Sequence, residues 1–275
     1  AAPIAKVQAT EGYGAKVVLH GDCYDEAYAK AMEICEQEGA TFLHPFDDYE
    51  VMAGQGTVAL EILRELPTVD TVVVPVGGGG LISGVAACIK LVNPRVKVVG
   101  VQAEGASAVY RSFKAREHMS TDGVSTIADG IAVGNPGEKT VAEILRHVDD
   151  MVTVSDNDIS SAILLLMERS KLIVEPAGAA SLAAVLSGKV DTVGRKTVCL
   201  LSGGNIDVSF IHRVIDQGLA SRHRRMTFTT RTPDALARLI RLPHAVADSG
   251  AHLLEIGPDR LLSVLGPNER PVQVA

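Results

Sequence analysis

Tryptophan is absent from this 275-residue chain, and with five tyrosines and five phenylalanines the aromatic share is 4% of a sequence that is 47% hydrophobic. Its core must be built from small aliphatic side chains. An excess of positive charge is also missing: 26 lysines and arginines stand against 33 aspartates and glutamates, a formal charge of −7. That balance argues against a general nucleic-acid surface, since phosphate backbones call for a basic face. The one basic cluster, Arg222-His223-Arg224-Arg225, is short and reads as solvated linker. The four cysteines, Cys23, Cys35, Cys88 and Cys199, lie at least twelve positions apart, without the paired spacing of a zinc site or a disulfide framework. A reduced, cytoplasmic setting fits them. No apolar run is long enough to span a bilayer and no signal peptide precedes the first helix. No initiator methionine precedes Ala1, which hints at a processed product or a fragment.

What is present is enough for one large domain plus smaller pieces, arranged around Val72-Val73-Val74-Pro75-Val76-Gly77-Gly78-Gly79-Gly80-Leu81. A β-branched run breaks into four glycines and resumes as a helix. Four glycines cost backbone entropy, and the return is a turn whose N–H groups all reach one anion at a helix N-terminus. The next strand, Val96 to Gln102, completes a right-handed βαβ unit of a parallel sheet and is followed by Glu104, near where a dinucleotide fold places its ribose carboxylate. A nucleotide-binding oxidoreductase is therefore a rival reading. The glycines do not support it: no register of Gly77 to Gly84 gives GxGxxG, and Val85-Ala86 stands where a Walker A loop needs Lys-Ser/Thr.

Upstream, Lys16 to Leu19 and Thr41 to Leu43 read as short strands around a helix from Asp25 to Glu38 capped by Asp22. A helix from Glu50 to Leu66 follows, with Gly54 and Gly56 in its early turns, where each glycine costs about 1 kcal/mol relative to alanine. Close packing and ligand lining explain them equally well. Downstream, helices are expected over 106–117 and 138–147 and a strand over 151–154, with Asp156 capping a helix through Lys171. Asp149-Asp150 reads as a solvated turn rather than a metal site. Glu175, in Val174-Glu175-Pro176-Ala177-Gly178-Ala179-Ala180, sits at a bend, where it is either a ligand neighbour or a helix-terminus carboxylate. Val198 to Leu201 ends in Ser202-Gly203-Gly204-Asn205, a second strand-to-helix glycine turn, and two such turns at the carboxyl ends of parallel strands make a ligand crevice.

The joint pattern of GGGGL and SGGN after strands, with PFDDYEVMAGQGT, IADG and EPAGAA in this order, resembles the threonine dehydratase and serine racemase group. These are pyridoxal-phosphate enzymes of fold type II. The resemblance covers about residues 2 to 218 and implies an α/β, parallel-sheet fold with a large domain (47–222) plus part of the small domain (1–46). It also implies pyridoxal 5'-phosphate as cofactor, a small amino-acid substrate, no nucleic-acid or membrane partner, and a homodimer or homotetramer. Carried over by position, Gly77, Gly78, Gly79, Gly80 and Leu81 match the loop that holds the cofactor phosphate. Ser202 matches the hydroxyl on the pyridine nitrogen, Glu175 a carboxylate near the cofactor, and Gly203 and Asn205 belong to the same turn. Three or four N–H donors to a charged group, at roughly 1.5 to 3 kcal/mol each, supply on the order of 5 to 10 kcal/mol, and micromolar binding needs about 8.

The resemblance also implies a Schiff-base lysine in Ser-Phe-Lys-x-Arg-Gly, expected upstream of Ala1, so no catalytic residue is assigned within this chain. Ser112-Phe113-Lys114-Ala115-Arg116 imitates that motif but follows the phosphate loop, and Lys114 is read as a decoy. Of the racemase branch's divalent-cation site only one carboxylate is matched, by Glu104, with Tyr110 where a second belongs, so no metal is expected. Residues 223–275 resemble the start of an ACT-type regulatory module, with a strand over 226–230, a turn at Arg231-Thr232-Pro233-Asp234, a helix over 235–247 and a strand over 252–256. The expected activity is threonine ammonia-lyase, with serine dehydratase, serine racemase or a non-catalytic fragment as alternatives, and feedback control by a branched-chain amino acid as a further expectation.

Overall fold

The computed structural model describes residues 4–21, 24–226, 228–233, 243–258 and 269–274, which fall into two units, Ala1–Gly218 and Leu219–Ala275. The first holds helices α1 (Ile4–Gly12), α2 (Tyr24–Glu38) and α3 (Tyr49–Glu65), then strand β1 (Thr71–Pro75), α4 (Gly80–Val92) and β2 (Lys97–Ala103). Next come α5 (Ala108–Ala115), α6 (Glu138–His147), β3 (Asp150–Val154) and α7 (Asp156–Leu165), which runs on as a π turn over Leu166–Ser170. It ends with α8 (Pro176–Leu186), β4 (Thr197–Cys199) and α9 (Val208–Ser221), whose last residues lie past the unit boundary.

The four strands form one parallel sheet in the order β3-β2-β1-β4. Every residue of β1 is buried, as a strand covered on both faces requires. Alternation sorts its valines: Val72 and Val74 pack with Ile82, Val85 and Ile89 of α4, whereas Val73 packs with the α7 and α8 residues Ile159, Ala179 and Ala183. The chain crosses from β1 to β2 to β3 on one side and returns to place β4 on the other side of β1. The switch point therefore lies between β1 and β4, where Val73 stands opposite Cys199.

Several local details depart from the sequence reading. Residues 15–21 and 40–43 have no regular structure, because no strand among the described residues lies beside them, and an unpaired strand satisfies no backbone groups. Asp22 lies outside the described residues. The cap of α7 is Ser155 rather than Asp156, in a reciprocal capping box with Asp158, while Asp156 accepts from the Thr126 hydroxyl at 2.5 Å and the Ile127 N–H at 3.1 Å. Asp149-Asp150 is no solvated turn: Asp149 accepts from Val98 N at 2.7 Å and pairs with Lys90 at 2.7 Å, and Asp150 opens β3. Gly56 has a packing reason, since a methyl there would fall 3.1 Å from the Gly84 carbonyl oxygen on α4.

The second unit contains an antiparallel sheet of β5 (Phe228–Pro233), β6 (Ile256–Pro258) and β7 (Glu269–Val274) in the order β5-β7-β6. Arg231, Thr232 and Pro233 continue β5 instead of turning, because each pairs with β7. Residues 243–248 are helical, and 251–255 are irregular where a strand was expected. Residues 234–242 of the expected turn and helix lie outside the described residues.

Candidate functional site

The glycine turn stands between the end of β1 and the start of α4. Gly78 O accepts from the Thr140 hydroxyl at 2.7 Å and Gly79 O from Ser83 N at 3.0 Å, while Gln102 Nε2 stands at a long 3.5 Å from Gly77 O. The N–H groups of the turn are not engaged in this way. Gly78, Gly79 and Gly80 are buried, yet among the described residues none of the three donates a backbone or side-chain hydrogen bond. A buried N–H without an acceptor is costly, and three in succession at a helix N-terminus form a concave donor set for an anion.

Absence of side chains is enforced from several directions. A methyl on Gly78 would fall 2.5 Å from the Phe46 ring, one on Gly80 2.9 Å from Phe46 Cα, and one on Gly77 3.1 Å from Ile131 Cα. Gly79 sits at φ +100°, with Thr140 and Ile144 each 2.9 Å from where a methyl would stand. Leu81 is half-buried in the first turn of α4.

The second turn, Ser202 to Asn205, follows β4. Glu175, at the N-cap of α8, clamps it twice: its N–H donates to Gly203 O at 3.0 Å, and its carboxylate Oε2 accepts from Asn205 N at 3.0 Å. Glu175 is thus a helix-terminus carboxylate whose acceptor serves the turn. A methyl on Gly130 of the IADG segment would stand 3.0 Å from the Ala177 methyl and 3.4 Å from Glu175 Oε1, and a methyl on Gly178 would stand 2.9 Å from Gly203 N. The four short motifs therefore meet at one place. Ser202 is exposed, and its hydroxyl has no hydrogen-bond partner among the described residues. A cavity of about 240 Å³ opens beside this turn, walled by Thr126, Ile127, Asp129, Pro176, Asn205 and Phe210.

Phe46, Asp47, Gln102, Gly130 and Thr140 were not singled out from sequence as site residues. Asp47 accepts from Thr140 N at 3.0 Å; only its place in PFDD pointed to it. Lys114 is remote from this convergence, paired at 3.4 Å with Asp150 at the start of β3, the opposite end of the sheet from the glycine turns. Glu104, itself exposed, begins a single turn after β2, and no group of metal-ligating side chains occurs among the described residues.

A family model described as pyridoxal-phosphate dependent enzyme matches residues 1–203. The chain belongs to that family. Within the pyridoxal-phosphate dependent enzymes, it is 46% identical over 262 residues to an L-threonine ammonia-lyase of Thermotoga maritima, covering 94% of this chain and 64% of that protein. It is 46% identical over 215 residues to the catabolic L-threonine dehydratase TdcB of Escherichia coli K12, covering 78% and 65%. The chain thus spans a little under two thirds of these relatives' length. The Thermotoga match, covering 94% of this chain, runs well into the second unit. Among solved structures, the processed threonine deaminase isoform 2 of Solanum lycopersicum superposes with a TM-score of 0.73 at 37% identity, covering 78% of this chain and 63% of that one. Maize serine racemase gives 0.72 at 32% identity, covering 80% and 68%.

The family's cofactor fits what is present. Three acceptor-less N–H groups suit a phosphate, and a partnerless hydroxyl suits the acceptor or donor of a ring nitrogen. Close by, Cys199 ends β4, and burial pushes its thiol up to about 11. The native state then holds this proton more tightly than the unfolded chain, so the associated stability is present below pH 9 and is lost as pH rises toward 11. The stability advantage of wild type over Cys199→Ala should shrink across that window in urea titrations. Native Cys199 should also resist a disulfide-exchange reagent at pH 8, since the thiolate is the reactive form.

Proposed function

We propose that this chain is the cofactor-binding body of a pyridoxal-phosphate dependent L-threonine ammonia-lyase, converting L-threonine to 2-oxobutanoate and ammonia. The observation that carries the reading is the row of buried, acceptor-less N–H groups of Gly78, Gly79 and Gly80 beside the clamped Ser202 turn, in a chain 45–48% identical to proteins named for that reaction. When bound, the cofactor would supply an electron sink for loss of the substrate's α-proton. Gly77 to Gly80 and the N–H of Leu81 would hold its phosphate. Ser202 would offer a neutral hydroxyl to the ring nitrogen, and Glu175 with Gly203 and Asn205 keeps that hydroxyl in place. We place the protein in the cytoplasm as a homodimer or homotetramer, treat residues 1–46 as part of the small domain, and read 223–275 as an ACT-like regulatory piece tied to branched-chain amino-acid synthesis.

The protein isolated from its own cells should release 2-oxobutanoate from L-threonine faster than pyruvate from L-serine. Activity on L-serine with none on L-threonine would defeat the assignment in favour of a serine dehydratase. Lys114 gives a separate test. Borohydride reduction of the 275-residue chain mixed with pyridoxal phosphate should leave no stoichiometric adduct at Lys114, and mass spectrometry of tryptic peptides reads the result. A stoichiometric adduct there would make Lys114 the anchoring lysine and remove the need for another.

A further inference from the structure

We infer that Thr140 aims the glycine turn, its buried hydroxyl fixing the Gly78–Gly79 peptide so that the Gly79 N–H faces the phosphate. The inference rests on the cofactor reading above and adds a positioning residue that touches neither cofactor nor substrate.

A trans peptide carries its C=O and N–H on opposite sides of the C–N bond, and no cis peptide occurs among the described residues. Whatever holds Gly78 O therefore dictates where Gly79 N–H points. Gly78 O is held from the α6 side, by Thr140 Oγ1 at 2.7 Å, so the Gly79 N–H is turned away from α6. The other contact to that oxygen, Gly137 N at 3.5 Å, is too long to hold it alone. The post is rigid. Thr140 has no solvent exposure, its N–H donates to Asp47 Oδ1 at 3.0 Å, and its own carbonyl accepts the Ser83 hydroxyl at 3.1 Å. The hydroxyl also lies 3.0 Å from Gly137 O, but it has one proton, and the Gly78 bond is the shorter.

Glycine on both sides makes this peptide easy to rotate. Without the Thr140 hydroxyl, rotation exchanges the two ends and presents a carbonyl oxygen to the anion in place of a donor. Loss of phosphate affinity is then larger than the loss of any packing contact at position 140 would give.

The test uses Thr140→Val, which keeps the shape and removes the donor, Thr140→Ser, which restores it, and Thr140→Cys, which offers a weak donor should valine prevent folding. Dissociation constants are measured for pyridoxal phosphate and for inorganic phosphate, with the phosphate-induced shift of the Gly79 amide followed by NMR. Valine, or cysteine in its place, should weaken both ligands by about tenfold to a hundredfold, the effect of one hydrogen bond to a charged group, and should abolish the Gly79 shift. Serine should recover both. Wild-type affinity and an intact Gly79 shift in the valine or cysteine variant overturn the inference while leaving the cofactor reading standing. A wild-type chain that binds neither ligand defeats that reading, and the inference with it.

Discussion

Replacing Gly79 by alanine should reduce pyridoxal-phosphate affinity by at least about a hundredfold and destabilise the protein by about 2 to 6 kcal/mol. Two independent costs combine. At φ +100° a residue with a Cβ is strained by about 1 to 3 kcal/mol, and the added methyl meets Thr140 Cβ and Ile144 Cδ1 at 2.9 Å, a further overpacking cost of about 1 to 3 kcal/mol. The chain relieves both by moving the turn, and movement misaligns donors on either side of position 79. Losing two charge-assisted hydrogen bonds, at about 1.5 kcal/mol or more each, corresponds to a hundredfold or greater loss of affinity. Fluorescence titration with the cofactor and urea unfolding of the free protein measure the two effects separately. Unchanged affinity in a folded variant would mean that the glycine turn does not bind the phosphate.

Gly84→Ala should be among the most damaging single methyl additions away from the site. The new Cβ would collide with the Met52 carbonyl oxygen and lie 2.7 Å from Gly56 N, both main-chain atoms of α3. Overpacking against side chains costs about 1 to 3 kcal/mol because they can turn aside; main chain inside a helix cannot, so a loss of about 3 kcal/mol or more is expected. Gly54→Ala is the matching control. Nothing lies within 4 Å of its would-be methyl, so the helical preference for alanine should appear as a gain of about 0.5 to 1 kcal/mol. Chemical denaturation of the three proteins decides the matter. A Gly84→Ala variant as stable as wild type would show that α3 and α4 are not held at this separation.

Much of the first unit was readable because its signals are local. The β-branched run of β1, the glycine break and the start of α4 occupy ten consecutive residues, and the Ser202 turn repeats the pattern after β4. The helix boundaries at Tyr49 and Glu138 follow an acidic cap and a Pro-Gly pair, again local. What escaped is non-local. Lys16 to Leu19 has a strand's composition, but a strand exists only when another lies beside it. Gly56 has its reason twenty-eight residues away, at Gly84. Thr140 carries no signal of its own: it opens α6 in an ordinary Glu-Lys-Thr run and matters because Gly78 lies over it. The α7 cap is different, since Ser155-x-x-Asp158 was legible as a capping box and Asp156 merely drew attention by its charge.

The contact between Gly178 and Gly203 limits how this region can be altered by directed evolution. What blocks a methyl at Gly178 is the main chain of Gly203, at 2.9 Å from both its N and O, so no compensating side-chain change elsewhere can make room. A mutant library that includes position 178 would spend its diversity on misfolded members. Randomising Asp129 and Phe210, whose side chains wall the neighbouring cavity, leaves the clamp intact.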